Sequence, residues 1–111
     1  MRLIFISIFF CFLYTTSAQT KDSFSLRFQH INEKNGLSNN VVHTIYKDSR
    51  GFMWIGTNEG LNMFDGTSFS VYRHNAIDTL SIQGNDIISI AEDEKQQLWI
   101  SSSAMLMMSL P

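Results

Sequence analysis

Two aspartates and two tryptophans are the first residues that invite chemistry. Asp48 and Asp93 stand 45 residues apart, and so do Trp54 and Trp99. Paired carboxylates carry out glycoside hydrolysis, and indole rings can stack on sugars. The same spacing argues against both roles. Ile45, Asp48, Trp54 and Ile55 return together as Ile90, Asp93, Trp99 and Ile100. Groups that recur in phase belong to a repeated unit, and a period of this size with aromatic and turn residues in step marks a propeller blade or similar array. The aspartates then read as turn formers and the tryptophans as packing residues between blades. No residue stands out as catalytic.

His30, His43 and His74 lack the close spacing of a zinc ligand set. No metal and no cofactor is expected. Strand direction alternates along a blade, so the 30–40 link, the 57–60 turn and the 74–86 link are expected to share one face. That face gathers Asn39, Asn40, Asn58, Glu59, Asn85 and Asp86. Their amides and carboxylates are the candidate contacts for a polar ligand such as a glycan. The alternative is a merely solvated loop face.

The elements that would position these residues are strands. Phe24 to Phe28 alternates apolar and polar side chains and predicts a half-buried strand. Residues 32–40 are dense in turn formers. Val41 to Lys47 carries apolar groups on both faces, as in a sheet covered on both sides. Asp48 to Gly51 is a tight turn, with Asp at its first position and Gly at its last. Residues 52–56 return as a strand, 57–60 turn again, and 61–64 form a third strand. Asp65-Gly66 signals a hairpin into a fourth, Phe69 to Tyr72. Four antiparallel strands in about 35 residues make one blade.

After a polar link, Leu80-Ser81 echoes Leu37-Ser38 at a shift of 43, which implies about two inserted residues before the phase settles at 45. Residues 86–92 and 98–101 repeat the first two strands. Gln96 replaces Gly51, so the second turn is expected to relax or change type. Carried onward, the 45-residue shift sets Met108 on Met63, but Leu110 and Pro111 replace Asp65 and Gly66. The tail therefore reads as a truncated or degenerate repeat.

The chain has 111 residues, 44% hydrophobic and 16% charged, with a net charge of −2. That is room for one small domain. Nucleic-acid binding requires a basic stripe to neutralise phosphates, and none is visible. Residues 1–18 have the layout of a secretory signal peptide: Arg2, an apolar run from Leu3 to Tyr14, then Thr16-Ser17-Ala18 before a cut at Gln19. A twelve-residue run rises only about 18 Å as a helix, short of the roughly 30 Å of a bilayer core. Cys11 follows Phe9-Phe10, not the small residues of a lipoprotein signal. Cleavage would remove Arg2 and the single Cys, leaving seven basic and ten acidic residues, a net charge of −3 and no disulfide.

These residues resemble the two-component regulator propeller repeat. Its pattern is met by Leu37-Ser38, Asn40, Val41-Val42, the run Asp48 to Thr57 (including Gly51, Trp54, Ile55 and Gly56), Gly60-Leu61-Asn62 and Asp65-Gly66. A second copy is carried by Asn85, Ile87-Ile88, Asp93 and Trp99-Ile100, with Ser101-Ser102 where Gly-Thr is usual. The resemblance spans residues 36–102, about three-fifths of the chain. The Asp-x-x-Gly-x-x-Trp stretch also resembles the Asp-box turn of sialidases, a structural device.

The resemblance implies an all-β, incomplete β-propeller: a signal peptide at 1–18, a lead-in with one strand at 19–36, a first repeat at 37–79, a partial second at 80–103, and a degenerate tail at 104–111. It also implies the exported, periplasmic sensor of a hybrid two-component histidine kinase that senses a polysaccharide-derived ligand, with phosphotransfer elsewhere. The implied partners are the remaining blades of a longer parent chain and an oligosaccharide. The membrane would be met only through the signal peptide or a downstream anchor. No kinase motif is present here. Two alternatives stay open: a decayed gene fragment, or part of an exported carbohydrate-active propeller enzyme. Because about three repeats are needed to cover one another, Val41, Ile45, Trp54 and Ile55 are expected to lack a neighbour.

Overall fold

A computed structural model describes residues 23–104 and 108–110. The proposed signal peptide and its cleavage site lie outside the described residues. Among the described residues the protein is all-β, with seven strands in two antiparallel sheets. Blade 1 is the meander β1 (Val42–Lys47), β2 (Met53–Thr57), β3 (Gly60–Phe64) and β4 (Phe69–Tyr72). Blade 2 holds β5 (Ile87–Glu92), β6 (Leu98–Ser102) and β7 (Met108–Leu110). Together they form one blade and part of a second, an incomplete propeller.

The Asp turns set the strand joins. Gly51 donates its N–H to the Asp48 carbonyl, and Gln96 makes the same 3.0 Å bond to Asp93. The second turn therefore does not relax. Gln96 adopts the left-handed φ of 63° that Gly51 reaches at 92°. That conformation brings Cβ close to the carbonyl oxygen in any L-residue, and the carboxylate bonds around the turn hold it in place.

Both sheets share an irregularity. Val42 lies opposite Thr57 but Thr44 opposite Gly56, so His43 is an extra residue in β1. Ile87 lies opposite Ser102 but Ser89 opposite Ser101, so Ile88 is the matching extra residue in β5. A bulge of this kind bends the strand and re-aims its side chains.

The core lies between the blades. Trp54 and Leu61, with Tyr46, Phe52 and Met63, pack against Ile87, Ile90, Leu98 and Ile100. These blade 1 residues lie on the face turned toward blade 2, which we call its forward face. Gly56 sits there too, where a Cβ would lie 2.6 Å from Ile87 Cγ2. Only glycine lets Ile87 approach so closely. Trp54 is thus buried, and Ile55 is buried on the opposite face, contrary to the expectation that they would lack cover, whereas Val41, Val42 and Ile45 are exposed. On the rear face of blade 1 the loop before β1 supplies cover. Ser38 N–H donates to Asn62 Oδ1 at 2.8 Å, Asn62 Nδ2 donates to Ser38 Oγ at 2.8 Å, and Ser38 Oγ bonds Thr57 Oγ1 at 2.7 Å.

Three further expectations are corrected. Phe24 to Phe28 is not a strand; its apolar residues are exposed, because no sheet edge among the described residues pairs with it. The echo of Leu37 is not Leu80. Leu80 is 93% exposed, whereas Ile82 is buried like Leu37, so the phase is already 45 there and nothing is inserted. In the tail, Trp54 lies opposite Met63 but Trp99 lies opposite Ser109. The connection into β7 is one residue longer, and Met108 takes the register position of Asn62 rather than that of Met63.

Candidate functional site

The two faces defined by strand direction behave differently. On one, the Asp turns consume their own carboxylates. Asp48 accepts N–H bonds from Arg50 at 3.0 Å and Phe52 at 2.9 Å through Oδ1, and from the Trp54 indole at 2.9 Å through Oδ2. Asp93 repeats the set with Lys95, Gln97 and the Trp99 indole. Burial by itself would raise the Asp48 pKa. The Trp54 indole, the Phe52 and Arg50 amides and the Arg50 guanidinium outweigh it and hold the carboxyl below its usual range. At Asp93 the Trp99 indole leads, followed by the Gln97 amide, with the same result. Asp65 closes the third turn by accepting from Thr67 and Ser68 amides at 2.8 Å. All three carboxylates are engaged with backbone amides of their own turns, and those of Asp48 and Asp93 also with the indoles.

On the loop face the structure sorts the six candidates. The Asn39 side chain accepts from the Val41 amide, Asn40 accepts from the Glu33 amide, and Asn85 accepts from the His74 amide. Their amide oxygens are engaged in shaping loops, as short polar side chains commonly are. Asn58 and Asp86 are brought together, and the residue that joins them is His43. Its Nε2 bonds Asn58 Oδ1 and lies 3.1 Å from Asp86 Oδ1. The Asp86 contact has ion-pair distance without hydrogen-bond alignment, and that oxygen is buried with no hydrogen bond of its own. Glu59 is exposed beside Asn58, and its carbonyl accepts from Arg73 Nε at 3.0 Å.

The sequence gives His43 no metal-ligand spacing. Its role comes from the bulge, which aims the ring across the junction to a residue 43 positions later. The sequence signal was slight: a histidine in one repeat where Ile88 stands in the other. One ring N–H facing two acceptors leaves the cluster short of donors.

Comparison with known proteins follows the same division. The family model for the two-component regulator propeller matches residues 36–59 and 81–104. The chain carries two-component regulator propeller repeats. Their matched starts lie 45 residues apart, in agreement with Leu37 and Ile82 as equivalents. The chain is 39% identical over 79 residues to histidine kinase P4 of Formosa agariphila, covering 71% of this chain and 6% of that protein. It also resembles the crystallised extracellular domain described as part of a hybrid two component system from B. thetaiotaomicron. The identity is 40% and the TM-score 0.61, over 67% of this chain and 10% of that one. The chain thus spans a small fraction of either relative.

Proposed function

We propose that this chain is part of the exported sensor propeller of a hybrid two-component system, and that its loop face contributes to holding a polysaccharide-derived ligand. The observation that carries the reading is the pair of Asp-turn repeats, similar both to a histidine kinase and to an extracellular domain. In this reading the propeller binds and the phosphotransfer chemistry lies in other parts of a longer protein. Export fits the signal-like start of the chain and places the ligand outside the cytoplasm.

Within the chain, His43, Asn58 and Asp86 are the contacts we assign to the ligand, with Glu59 beside them. They span the junction of two blades, so a ligand bridging them would report on how the blades sit. Saturation-transfer NMR with a panel of defined oligosaccharides tests this. Binding by the wild-type chain that weakens in Asn58→Ala and Asp86→Ala is the expected result. Binding that both variants leave intact would move the site elsewhere. Failure of every oligosaccharide would refute a ligand contact within these two blades.

A further inference from the structure

Two neighbouring side chains on the loop face are held by their inner nitrogens and leave the outer ones unpartnered among the described residues. Arg73 directly follows β4. Its Nε donates to the Glu59 carbonyl at 3.0 Å. Its stem lies over Gly60, where a Cβ would come within 3.3 Å of Arg73 Cγ. Among the described residues the ion pairs are His43 with Asp86 and Arg50 with Asp48. No carboxylate there claims the Arg73 guanidinium, and Glu59 meets it through the backbone. His74 comes next. Its Nδ1 bonds the Ile82 carbonyl at 2.8 Å, and its backbone N–H donates to Asn85 Oδ1 at 2.7 Å. A carbonyl only accepts, so Nδ1 carries the hydrogen. Nε2 of the neutral ring is then left as an acceptor.

The blade itself does not ask for these residues. A group that the repeat requires recurs in it, as Asp48 and Trp54 do, but one period before Arg73 and His74 stand Phe28 and Gln29. An exposed arginine ordinarily loses much rotamer freedom when it binds. Arg73 has already given up part of that freedom to Glu59 and Gly60, which makes it a preorganised contact. Its two Nη groups form a cationic fork that matches two oxygens of a carboxylate or sulfate. The position matters as well. The strand order puts His43, on β1, and Arg73, after β4, on opposite sides of the 57–60 turn. Three strand spacings separate them by roughly 14 Å. An oligosaccharide spans that distance, and a single sugar ring does not.

We propose that the ligand of the loop face is an anionic oligosaccharide. A sugar carboxylate or sulfate sits on the Arg73 Nη groups, and a hydroxyl beside it donates to His74 Nε2. This rests on the loop-face reading above. It extends that site from His43, Asn58 and Asp86 to the far side of the 57–60 turn.

Titration calorimetry on the full chain with matched oligosaccharides tests it. Trimers of galacturonate, glucuronate and mannuronate are each compared with their methyl esters, which keep the rings and lose the charge. Galactotriose with and without sulfate covers the other oxyanion, and the pair that responds tells carboxylate from sulfate. At least one charged trimer should bind about tenfold or more tighter than its neutral counterpart, and added NaCl should erode the difference. Arg73→Gln should abolish the preference while leaving the neutral counterpart within about twofold of its wild-type affinity, which also shows that the variant is folded. Arg73→Lys keeps the charge without the fork and should retain only part of the preference. His74→Asn keeps a donor for the Ile82 carbonyl but removes Nε2. It should weaken charged and neutral forms alike, about threefold. Equal binding of charged and neutral forms would overturn the proposal and leave the loop-face site standing. A charge preference that survives Arg73→Gln would also overturn it, by placing the anion elsewhere. Failure of every oligosaccharide would overturn both readings.

Discussion

Ile45 and Ile90 occupy the same place in the two sheets, opposite Ile55 and Ile100. Ile45 is 61% exposed and Ile90 is 8% exposed. Val42 and Ile87 differ in the same way, at 40% and 0%. Strand type, register and bulge are alike, so none of these decides the burial. What differs is that blade 1 covers the rear face of β5, while no described element covers the rear face of β1. The forward faces show the converse: Trp54 is buried under blade 2, and Trp99 is only half-buried. In a stacked array each sheet supplies one wall of its neighbour's core.

The largest test of this comparison is to truncate both isoleucines. Ile90→Ala should cost about 2–5 kcal/mol in urea unfolding, and Ile45→Ala no more than about 0.5 kcal/mol. Equal costs would mean that the two faces are covered alike. Gly56→Ala comes next. It forces a Cβ against Ile87 and Thr44 and should cost about 1–3 kcal/mol.

The Asp turns sharpen the comparison, since both make the same bonds in unequal burial. Asp48→Ala leaves the buried Trp54 indole unpaired and should cost about 1–3 kcal/mol. Asp93→Ala should cost less, because water can reach the half-buried Trp99. Both carboxyls have folded-state pKa values below the usual carboxylate range. The stability they add is therefore fully present above the unfolded Asp pKa of about 4. It is lost as pH falls through the lowered folded values. Urea midpoints measured from neutral pH downward should hold to about pH 4 and then drop, with less of a drop in each Asp→Ala variant.

The smallest effect is at the turn glycine. Gln96→Gly should stabilise by roughly 1 kcal/mol by relieving the left-handed side chain, and Gly51→Gln should reverse that gain in blade 1. Thermal melts of the two variants are enough to compare them.

How much of this could be read beforehand depends on how far apart in sequence the interacting groups lie. The Asp turns are closed by bonds to residues two, four and six positions on, so residue types and spacing announced them. The hairpins, the period and the all-β class followed from the same local chemistry. The loop-face candidates were located by strand direction alone. Which of them meet was not legible, because a one-residue bulge turns His43 toward Asp86 in the next blade. Leu80 and Ile82 show the same limit. Both are apolar residues in a polar link, and only packing against the core tells them apart.

The amino-acid sequence by itself determined the repeat, its turns and the order of its strands, since each rests on hydrogen bonds between near neighbours in the chain. Only the tertiary structure decided which faces are buried, that Gln96 holds a glycine's conformation, and that Phe24 to Phe28 has no partner among the described residues. Burial and strand pairing are properties of two surfaces in contact, and one strand's sequence specifies only its own.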